Sequence, residues 1–324
     1  MPDGAHRSGF VALAGAPNAG KSTLLNRLLG QKVAAVSPRP QTTRNRILGV
    51  LTGEGFQIAL LDTPGIHRPR PGLARAMVET ALGALREGDV AALVVDATRR
   101  GVEEEDEALS AVLAARGRKR ALLLNKIDRA RRPALLPLID AFRARGHFDL
   151  VYPLSALTGE NAEGLAPALA ALLPEGPELF PPETLTDQDE RTIVAELIRE
   201  QVFRQTGEEI PYGVAVEIEQ FDEGRREGPR PLVRIQATLH AVRTSHKGIL
   251  IGKGGQKLKA IGTAARREIE RLLGCPVFLG LNVRVEEGWT VSDAAIRRFG
   301  YAGAGRGGRG SRPPRSGDRG GRAG

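Results

Sequence analysis

The stretch "GAPNAGKST", Gly15 to Thr23, follows the apolar run "FVALA" at residues 10–14 and opens an amphipathic segment. It fits the pattern G-x-x-x-x-G-K-[ST], in which backbone N–H groups of a strand-to-helix turn surround phosphate oxygens. Glycine is needed there because a Cβ would keep the backbone away from the phosphates. The pattern predicts a phosphate loop in which Lys21 reaches the terminal phosphates and the Ser22 hydroxyl binds magnesium. The residues predicted to contact nucleotide here are Gly15, Ala16, Pro17, Asn18, Ala19, Gly20, Lys21, Ser22 and Thr23.

Outward from this loop, short apolar runs alternate with helical patterns as far as about Leu173. The runs are too uniformly apolar to have one wet face, which is typical of strands buried between helices. Strict alternation predicts a doubly wound, mainly parallel α/β sheet covered on both faces. Its ligand should lie off the carboxyl ends of the strands. The strand-like runs are "FVALAG", "RILGVL", "FQIALLD", "VAALVVDA", "ALLLN" and "LVYPLSA".

A second motif, "LLDTPGI", ends one of these strands. Asp62 is placed to hold magnesium through water, and the Gly65 N–H would meet a γ-phosphate when the following loop is ordered. The residues predicted to contact nucleotide here are Asp62, Thr63, Pro64, Gly65 and Ile66.

The motif "LNKID" ends another strand with Asn125, Lys126 and Asp128. A carboxylate such as Asp128 accepts hydrogen bonds from N1 and the 2-amino group of guanine, and adenine lacks these donors. In "PLSALTG", Ser155 and the Ala156 N–H would close over the base. Together the motifs predict selection of GTP over ATP.

Between the phosphate loop and "DTPG" lies "SPRPQTTRNRI", residues 37–47. A threonine is needed here as a magnesium ligand that closes only when the γ-phosphate is present. We favour Thr43 over Thr42, although the sequence does not separate them. The predicted magnesium set is Ser22, Thr43 and Asp62.

The residue after "DTPG" is Ile66, where Ras-like enzymes carry the glutamine that orients the attacking water. Two interpretations follow: the chain binds GTP without turning it over, or another group positions the water. Asn18 in "PNAGKS" favours slow, potassium-stimulated hydrolysis, with His67 as an alternative base. The predicted catalytic groups are Lys21, Thr43, Gly65 and Asn18.

Beyond about residue 173 the pattern changes. We predict a GTPase domain at 8–173, a proline-rich and acidic linker at 174–189, and an α+β domain at 190–301. In the α+β domain, helix, strand, strand, "ILI", a G-x-x-G turn, helix and strand follow one another, which is the order of a type II KH fold. The residues predicted to contact single-stranded RNA are Ile251, Gly252, Lys253, Gly254, Gly255 and Lys257.

The composition indicates the kind of partner and the location of the protein. The net charge of +9 indicates an anionic partner, either nucleic acid or an anionic membrane surface. No apolar run is long enough for a membrane span and no secretory signal is recognisable, so we expect a cytoplasmic protein. The single cysteine, Cys275, excludes an internal disulfide. Residues 302–324 are rich in arginine and glycine and predict a disordered tail, either with nonspecific RNA affinity or merely solubilising.

The motifs together resemble the Era family of bacterial ribosome-assembly GTPases. The resemblance covers residues 8 to 301 and includes "GAPNAGKSTLLNRLLGQKV", "QTTRNRI", "LLDTPGIH", "LNKID", "SAL", "AELIREQVFRQTGEEIPYGVAVEIE", "ILIGKGGQKLKAIG" and "GWTVSDAAIRRFGY". It implies GTP or GDP with Mg²⁺, and GTP-gated binding to the single-stranded 3′ end of 16S rRNA during 30S subunit maturation. It also implies peripheral attachment to the inner face of the cell membrane. The alternatives are an RNA-binding factor with incidental turnover or a membrane-surface GTPase, and a monomer is the default.

Overall fold

The structure, a computed structural model, describes residues 6–66, 72–102, 106–115, 117–207 and 210–301. The first domain is built on a six-stranded sheet with the order β2-β3-β1-β4-β5-β6. Strand β2 is antiparallel to β3, and the other pairs are parallel, which confirms the mainly parallel sheet. The strands are β1 (Arg7–Ala14), β2 (Ile47–Gly53), β3 (Phe56–Asp62), β4 (Val90–Asp96), β5 (Lys119–Asn125) and β6 (Leu150–Pro153).

Helices cover both faces of this sheet because its strands are apolar on both sides. In β1, Val11 and Leu13 belong to one buried cluster, whereas Ala12 and Ala14 belong to the cluster on the opposite face. The alternation follows from the two-residue period of a strand. The helices are α1 (Lys21–Leu29), α2 (Leu73–Glu87), α3 (Glu107–Ala114), α4 (Leu135–Arg143) and α5 (Leu165–Ala170).

Residues 174–189, which the sequence predicts as a linker, lie against the first domain. They form antiparallel bridges at Glu175 with Arg7 and at Thr186 with Gly49. The side chain of Gln57 accepts hydrogen bonds from the backbone N–H groups of residues 179 and 180, at 2.7 and 2.9 Å. The segment is therefore a packed connection rather than a loose tether. The exact boundaries at 173 and 189 stay a prediction.

The second domain contains a three-stranded sheet, with β7 antiparallel to β8 and β8 parallel to β9. Helix α6 begins after Asp189, whose carboxylate accepts a hydrogen bond from the Thr192 N–H at 2.7 Å. The elements are α6 (Glu190–Gln205), β7 (Val214–Arg225), β8 (Leu232–Ala241), α7 (Thr244–Ile251), α8 (Gln256–Leu273), β9 (Val277–Val285) and α9 (Asp293–Arg298).

The order α6-β7-β8-α7-α8-β9 is that of the expected type II KH fold. The sequence does not predict helix α7, because only its last turn stands out there, as the short apolar run "ILI". The predicted tail at 302–324 lies outside the described residues, as does His67. Within the described part of the chain, no helix combines the length and apolar character needed to cross a membrane.

Candidate nucleotide site and RNA loop

The phosphate loop joins the end of β1 to the start of α1. Gly20 precedes the helix with φ +98°, a conformation that favours glycine. Lys21 is buried, and its Nζ donates hydrogen bonds to the carbonyls of Gly15 and Ala16, both at 3.0 Å. The loop is thus folded around the lysine, with its ammonium group at the centre.

Burial perturbs two charged groups beside this loop. It lowers the pKa of Lys21 to about 8, although the nearby Asp62 carboxylate opposes the shift. It raises the pKa of Asp62 to about 6, with Lys21 and a hydrogen bond from Ser22 acting in the opposite direction. Both groups therefore titrate much closer to neutral pH than exposed groups of their type.

Three oxygen-bearing side chains meet at the start of α1. Ser22 Oγ lies 2.6 Å from Thr43 Oγ1 and 2.5 Å from Asp62 Oδ2. The other carboxylate oxygen, Asp62 Oδ1, is buried and has no hydrogen-bond partner among the described residues. Hard cations such as Mg²⁺ prefer oxygen ligands, and a buried, unpartnered carboxylate oxygen favours a cation. The residues present therefore fit Mg²⁺.

The neighbouring Thr42 faces away from this cluster. Its Oγ1 lies 2.6 Å from Ser37 Oγ and donates to the Arg39 carbonyl at 2.9 Å. The structure brings Thr43, and not Thr42, to Ser22. The geometry thus distinguishes two threonines that the sequence leaves open.

The "DTPG" loop packs against the phosphate loop. The Ile66 N–H donates to the Gly15 carbonyl at 3.1 Å, and the Thr63 hydroxyl donates to the Leu13 carbonyl at 2.7 Å. Pro64 and Gly65 are buried between these two contacts. The Ile66 side chain is 5% exposed and belongs to the buried cluster on one face of the sheet. It presents no polar atom to a nucleotide.

Asn125 connects the phosphate loop to the loop with Ser155 and Ala156 that is predicted to close over the base, called the base loop below. Its Nδ2 donates to the Ala19 carbonyl and its Oδ1 accepts from the Ala156 N–H, both at 2.9 Å. Lys126 has φ +67° and pairs with Asp96 at 2.7 Å. Ser155 is buried, whereas Asp128 is exposed at the carboxyl edge of the sheet.

Arg27 also holds the base loop in place, although no local sequence signal identifies it. It lies in α1, and its guanidinium donates to the carbonyls of Ala156 at 3.0 Å and Leu157 at 2.5 Å. The loop that would close over a base is therefore fixed from two sides, by Asn125 and by Arg27.

The G-x-x-G turn lies between α7 and α8. Its Gly252, Gly254 and Gly255 have φ of +69°, +58° and +79°. A Cβ at Gly252 would lie 2.7 Å from Lys257 Cβ, whereas at Gly254 it would meet no described atom within 4 Å. Lys253 is exposed and Ile251 is half-buried. The turn leaves open space beside its second and third glycines.

Two further side chains of the second domain donate hydrogen bonds to backbone carbonyls. Lys257 Nζ donates to the Gln205 carbonyl at 2.9 Å, which leaves two ammonium N–H groups for other acceptors, and RNA contact by Lys257 stays a prediction. Trp289 is fully buried, and its Nε1 donates to the Gly213 carbonyl at 3.1 Å. In this conformation Trp289 packs and does not stack on a base.

Two family models match the chain. One, described as 50S ribosome-binding GTPase, matches residues 10–126, and the other, described as KH domain, matches residues 209–290. GTPase Era from Geobacter metallireducens is 47% identical over 301 residues, covering 93% of this chain and 100% of that protein. GTPase Era from Trichlorobacter lovleyi is 48% identical over 302 residues, with the same coverage.

Two solved structures are similar across both domains. A variant of Aquifex aeolicus Era bound to GDP·AlF4⁻ gives a TM-score of 0.85 at 40% identity, covering 91% of this chain and 99% of that chain. Era in complex with MgGDPNP and nucleotides 1506–1542 of 16S ribosomal RNA gives 0.86 at 40% identity, covering 92% and 99%.

The fold and the two loops define a class of protein: a P-loop GTPase joined to an RNA-binding KH domain. Its relatives share nearly half of their residues with it over almost the whole chain. The chain belongs to the Era family of GTPases.

Proposed function

We propose that this chain is a GTP-driven switch that binds the single-stranded 3′ end of 16S rRNA and assists maturation of the 30S subunit. Contacts between the nucleotide site and the KH domain support this proposal. The loop with Thr43 and the start of α2, which follows "DTPG", both contact the KH domain, through Arg44 with Val214 and Leu73 with Thr290. The 16S rRNA complex of a similar Era supports the choice of RNA.

In this proposal the phosphate loop and Lys21 bind the β- and γ-phosphates, and the Gly65 N–H contacts the γ-phosphate. Ser22, Thr43 and Asp62 would hold Mg²⁺, whose charge would neutralise the phosphate oxygens. Asp128, Ser155 and the Ala156 N–H bind guanine. The remaining nucleotide contacts are those predicted for Ala16, Pro17, Ala19, Thr23, Thr63, Pro64, Asn125 and Lys126.

Hydrolysis is proposed to be slow because the Ile66 side chain is buried and offers no group to orient water. Asn18 supports a role for potassium. Its Nδ2 donates to the Pro38 carbonyl at 2.9 Å, so the amide lies where the phosphate loop meets the loop that carries Thr43. We expect turnover to be faster in potassium than in sodium at equal ionic strength. The difference should disappear in Asn18→Ala.

The RNA assignment is tested by a matched pair of aspartate substitutions at the two ends of α8. Gly254 and Gly274 have φ of +58° and +68°, and a Cβ at either meets no described atom within 4 Å. Gly254→Asp adds a negative charge beside the G-x-x-G turn, and Gly274→Asp adds the same charge away from it. We expect only Gly254→Asp to weaken binding of an oligomer with the 16S rRNA 3′ sequence, while both variants keep GTP affinity. Equal RNA affinity of the two variants would contradict the assignment.

The second candidate function is an RNA-binding factor for which nucleotide binding matters and turnover is incidental. The buried Ile66 favours it. A variant with GTP affinity but no turnover distinguishes the two, because the switch needs hydrolysis for RNA release and the factor does not.

Three further features are proposals with their own tests. A monomer is tested by analytical ultracentrifugation, and the boundaries 8–173, 174–189 and 190–301 by limited proteolysis. A cytoplasmic location stays a proposal, and its peripheral attachment to an anionic membrane is supported only by the net charge of +9. Sedimentation with anionic liposomes at two salt concentrations tests the attachment.

A further inference from the structure

Thr43 lies between two residues that contact the KH domain. On its amino side, the Thr42 carbonyl accepts a hydrogen bond from the guanidinium of Arg199 in α6. On its carboxyl side, Arg44 extends into the KH domain and is 1% exposed. The backbone on both sides of Thr43 is therefore fixed by the second domain.

Arg44 occupies a cage made of backbone carbonyls and aromatic rings. Its Nη1 donates to the Val214 carbonyl at 2.9 Å, and its Nη2 donates to those of Pro211 and Tyr212, both at 3.0 Å. The centroids of three rings lie near its Cζ, at 5.0 Å for Tyr301, 5.6 Å for Trp289 and 6.0 Å for Phe203. These distances are in the range of cation–π interactions.

The chemistry of the cage suits arginine. The guanidinium is a planar fork of several donors, so it can satisfy three carbonyls and stack on rings at once, which a lysine ammonium cannot. The pKa of Arg44 is lowered to about 10, mainly by burial and less by the neighbouring Arg199, whereas Tyr301 and Glu196 act in the opposite direction; the group stays charged at neutral pH. A buried charge is energetically costly without hydrogen-bond partners. We therefore expect the Arg44 guanidinium to keep all three carbonyl contacts rather than to lose some of them.

The cage is one unit of the KH domain. The Trp289 Nε1 donates to the Gly213 carbonyl, which fixes the indole to the turn that supplies the carbonyls for Arg44. The following residue, Thr290, accepts a hydrogen bond from the Leu73 N–H at 3.0 Å, at the start of α2. The segment that lines the cage thus also contacts the helix after "DTPG".

We propose that Arg44 is a positioning residue for GTP hydrolysis: its seat in this cage fixes Thr43 beside Ser22 and Asp62. The inference rests on the proposed function, in which Thr43 acts only when a γ-phosphate is bound. It assigns to the KH domain a part in building the site at which the triphosphate is recognised. GDP binding, which needs no contact from Thr43, is independent of the cage.

The test uses the full chain with substitutions on both sides of the contact. Arg44→Gln removes the guanidinium from the first domain, and Tyr301→Leu removes a ring from the second. The control is Arg46→Gln, two positions along the same loop, where the arginine pairs instead with Glu87 at 2.6 Å. Because Trp289 is the only tryptophan in the chain, its emission in nucleotide-free protein reports on the cage.

We expect Arg44→Gln and Tyr301→Leu to change Trp289 emission and to lower affinity for a nonhydrolysable GTP analogue with Mg²⁺ by about tenfold. The kcat for GTP should fall by a similar factor, and GDP affinity should stay within about twofold. The double variant should lose about tenfold rather than about a hundredfold, because both changes remove one contact. Arg46→Gln should match the unsubstituted chain in every measurement.

An unchanged ratio of analogue to GDP affinity in variants whose Trp289 emission has changed would overturn the proposal. So would multiplicative losses in the double variant. If Arg44→Gln does not fold, Arg44→Lys is used instead, because lysine keeps the charge but lacks the planar guanidinium. The ratio of analogue to GDP affinity is then measured in Arg44→Lys. An unsubstituted chain that binds neither nucleotide would instead refute the proposed function itself.

Discussion

The substitution Gly65→Ala tests how the "DTPG" loop recognises a γ-phosphate. A Cβ at Gly65 would lie 2.7 Å from Pro17 N and 2.8 Å from Pro17 Cα, both backbone atoms of the phosphate loop. Such distances are too short for any carbon contact, so the two loops must separate. The Ile66 N–H bond to the Gly15 carbonyl and the Thr63 bond to the Leu13 carbonyl oppose that separation.

The size of the effect follows from overpacking at a closely packed contact, which costs about 1–3 kcal/mol. With GDP bound, the loop can move away and relieve the contact. With a triphosphate bound, the loop must stay close for the Gly65 N–H to reach the γ-phosphate. The cost therefore falls on the triphosphate alone and lowers the ratio of analogue to GDP affinity by roughly 5- to 150-fold.

Titration of both nucleotides by displacement of a fluorescent GDP measures this ratio. The matched control is Gly83→Ala in α2, where the nearest atom to an added Cβ is Arg86 Nη2 at 3.9 Å. We expect the control to raise the free energy of unfolding by about 0.4–1 kcal/mol and to leave both affinities unchanged. An equal loss of GDP and analogue affinity in Gly65→Ala, or no loss of either, would show that the Gly65 contact does not discriminate between the two nucleotides.

Two further predictions concern the nucleotide site. Asp128→Asn should reduce the preference for GTP over ATP by at least about tenfold, since hydrogen bonds to a charged group contribute about 1.5–3 kcal/mol. Competition binding with both nucleotides checks this. Retained discrimination against ATP would contradict the assignment of Asp128 to guanine. Mg²⁺-dependent affinity for GTP should be greatest between about pH 6 and pH 8. Below pH 6 the Asp62 carboxylate is protonated and cannot bind a cation, and above pH 8 the Lys21 ammonium loses the charge that attracts phosphate. Without Mg²⁺, GDP affinity should show no decrease below pH 6, where Asp62 is protonated. It should still decrease above pH 8, where Lys21 loses its charge.

The local parts of the site could be predicted from the sequence because each motif places its chemistry at a strand end. Leu13 of β1 is level with Asp62 of β3, and Asp96 of β4 is level with Asn125 of β5. Parallel strands therefore bring "GKS", "DTPG" and "NKID" to one edge of the sheet. The order of helices and strands in the second domain could likewise be predicted from the sequence, apart from α7.

The remaining parts depend on contacts between distant residues, which no local pattern encodes. Thr42 and Thr43 are adjacent polar residues, and only the fold directs one to Ser37 and the other to Ser22. Arg44 in the sequence is one basic residue among several in a polar loop, yet the carbonyls that accept its hydrogen bonds lie 167 to 170 positions away.

The most direct test of the account is the affinity of the full chain for an RNA oligomer with the 16S rRNA 3′ sequence, measured with GDP and with a nonhydrolysable GTP analogue. Gly254→Asp measured in parallel corrects for RNA bound outside the KH turn. We expect tighter binding with the analogue, and no nucleotide effect in Gly254→Asp. Equal affinity of the unsubstituted chain in the two nucleotide states would contradict it, because the contacts between the Thr43 loop and the KH domain would then transmit nothing to the RNA.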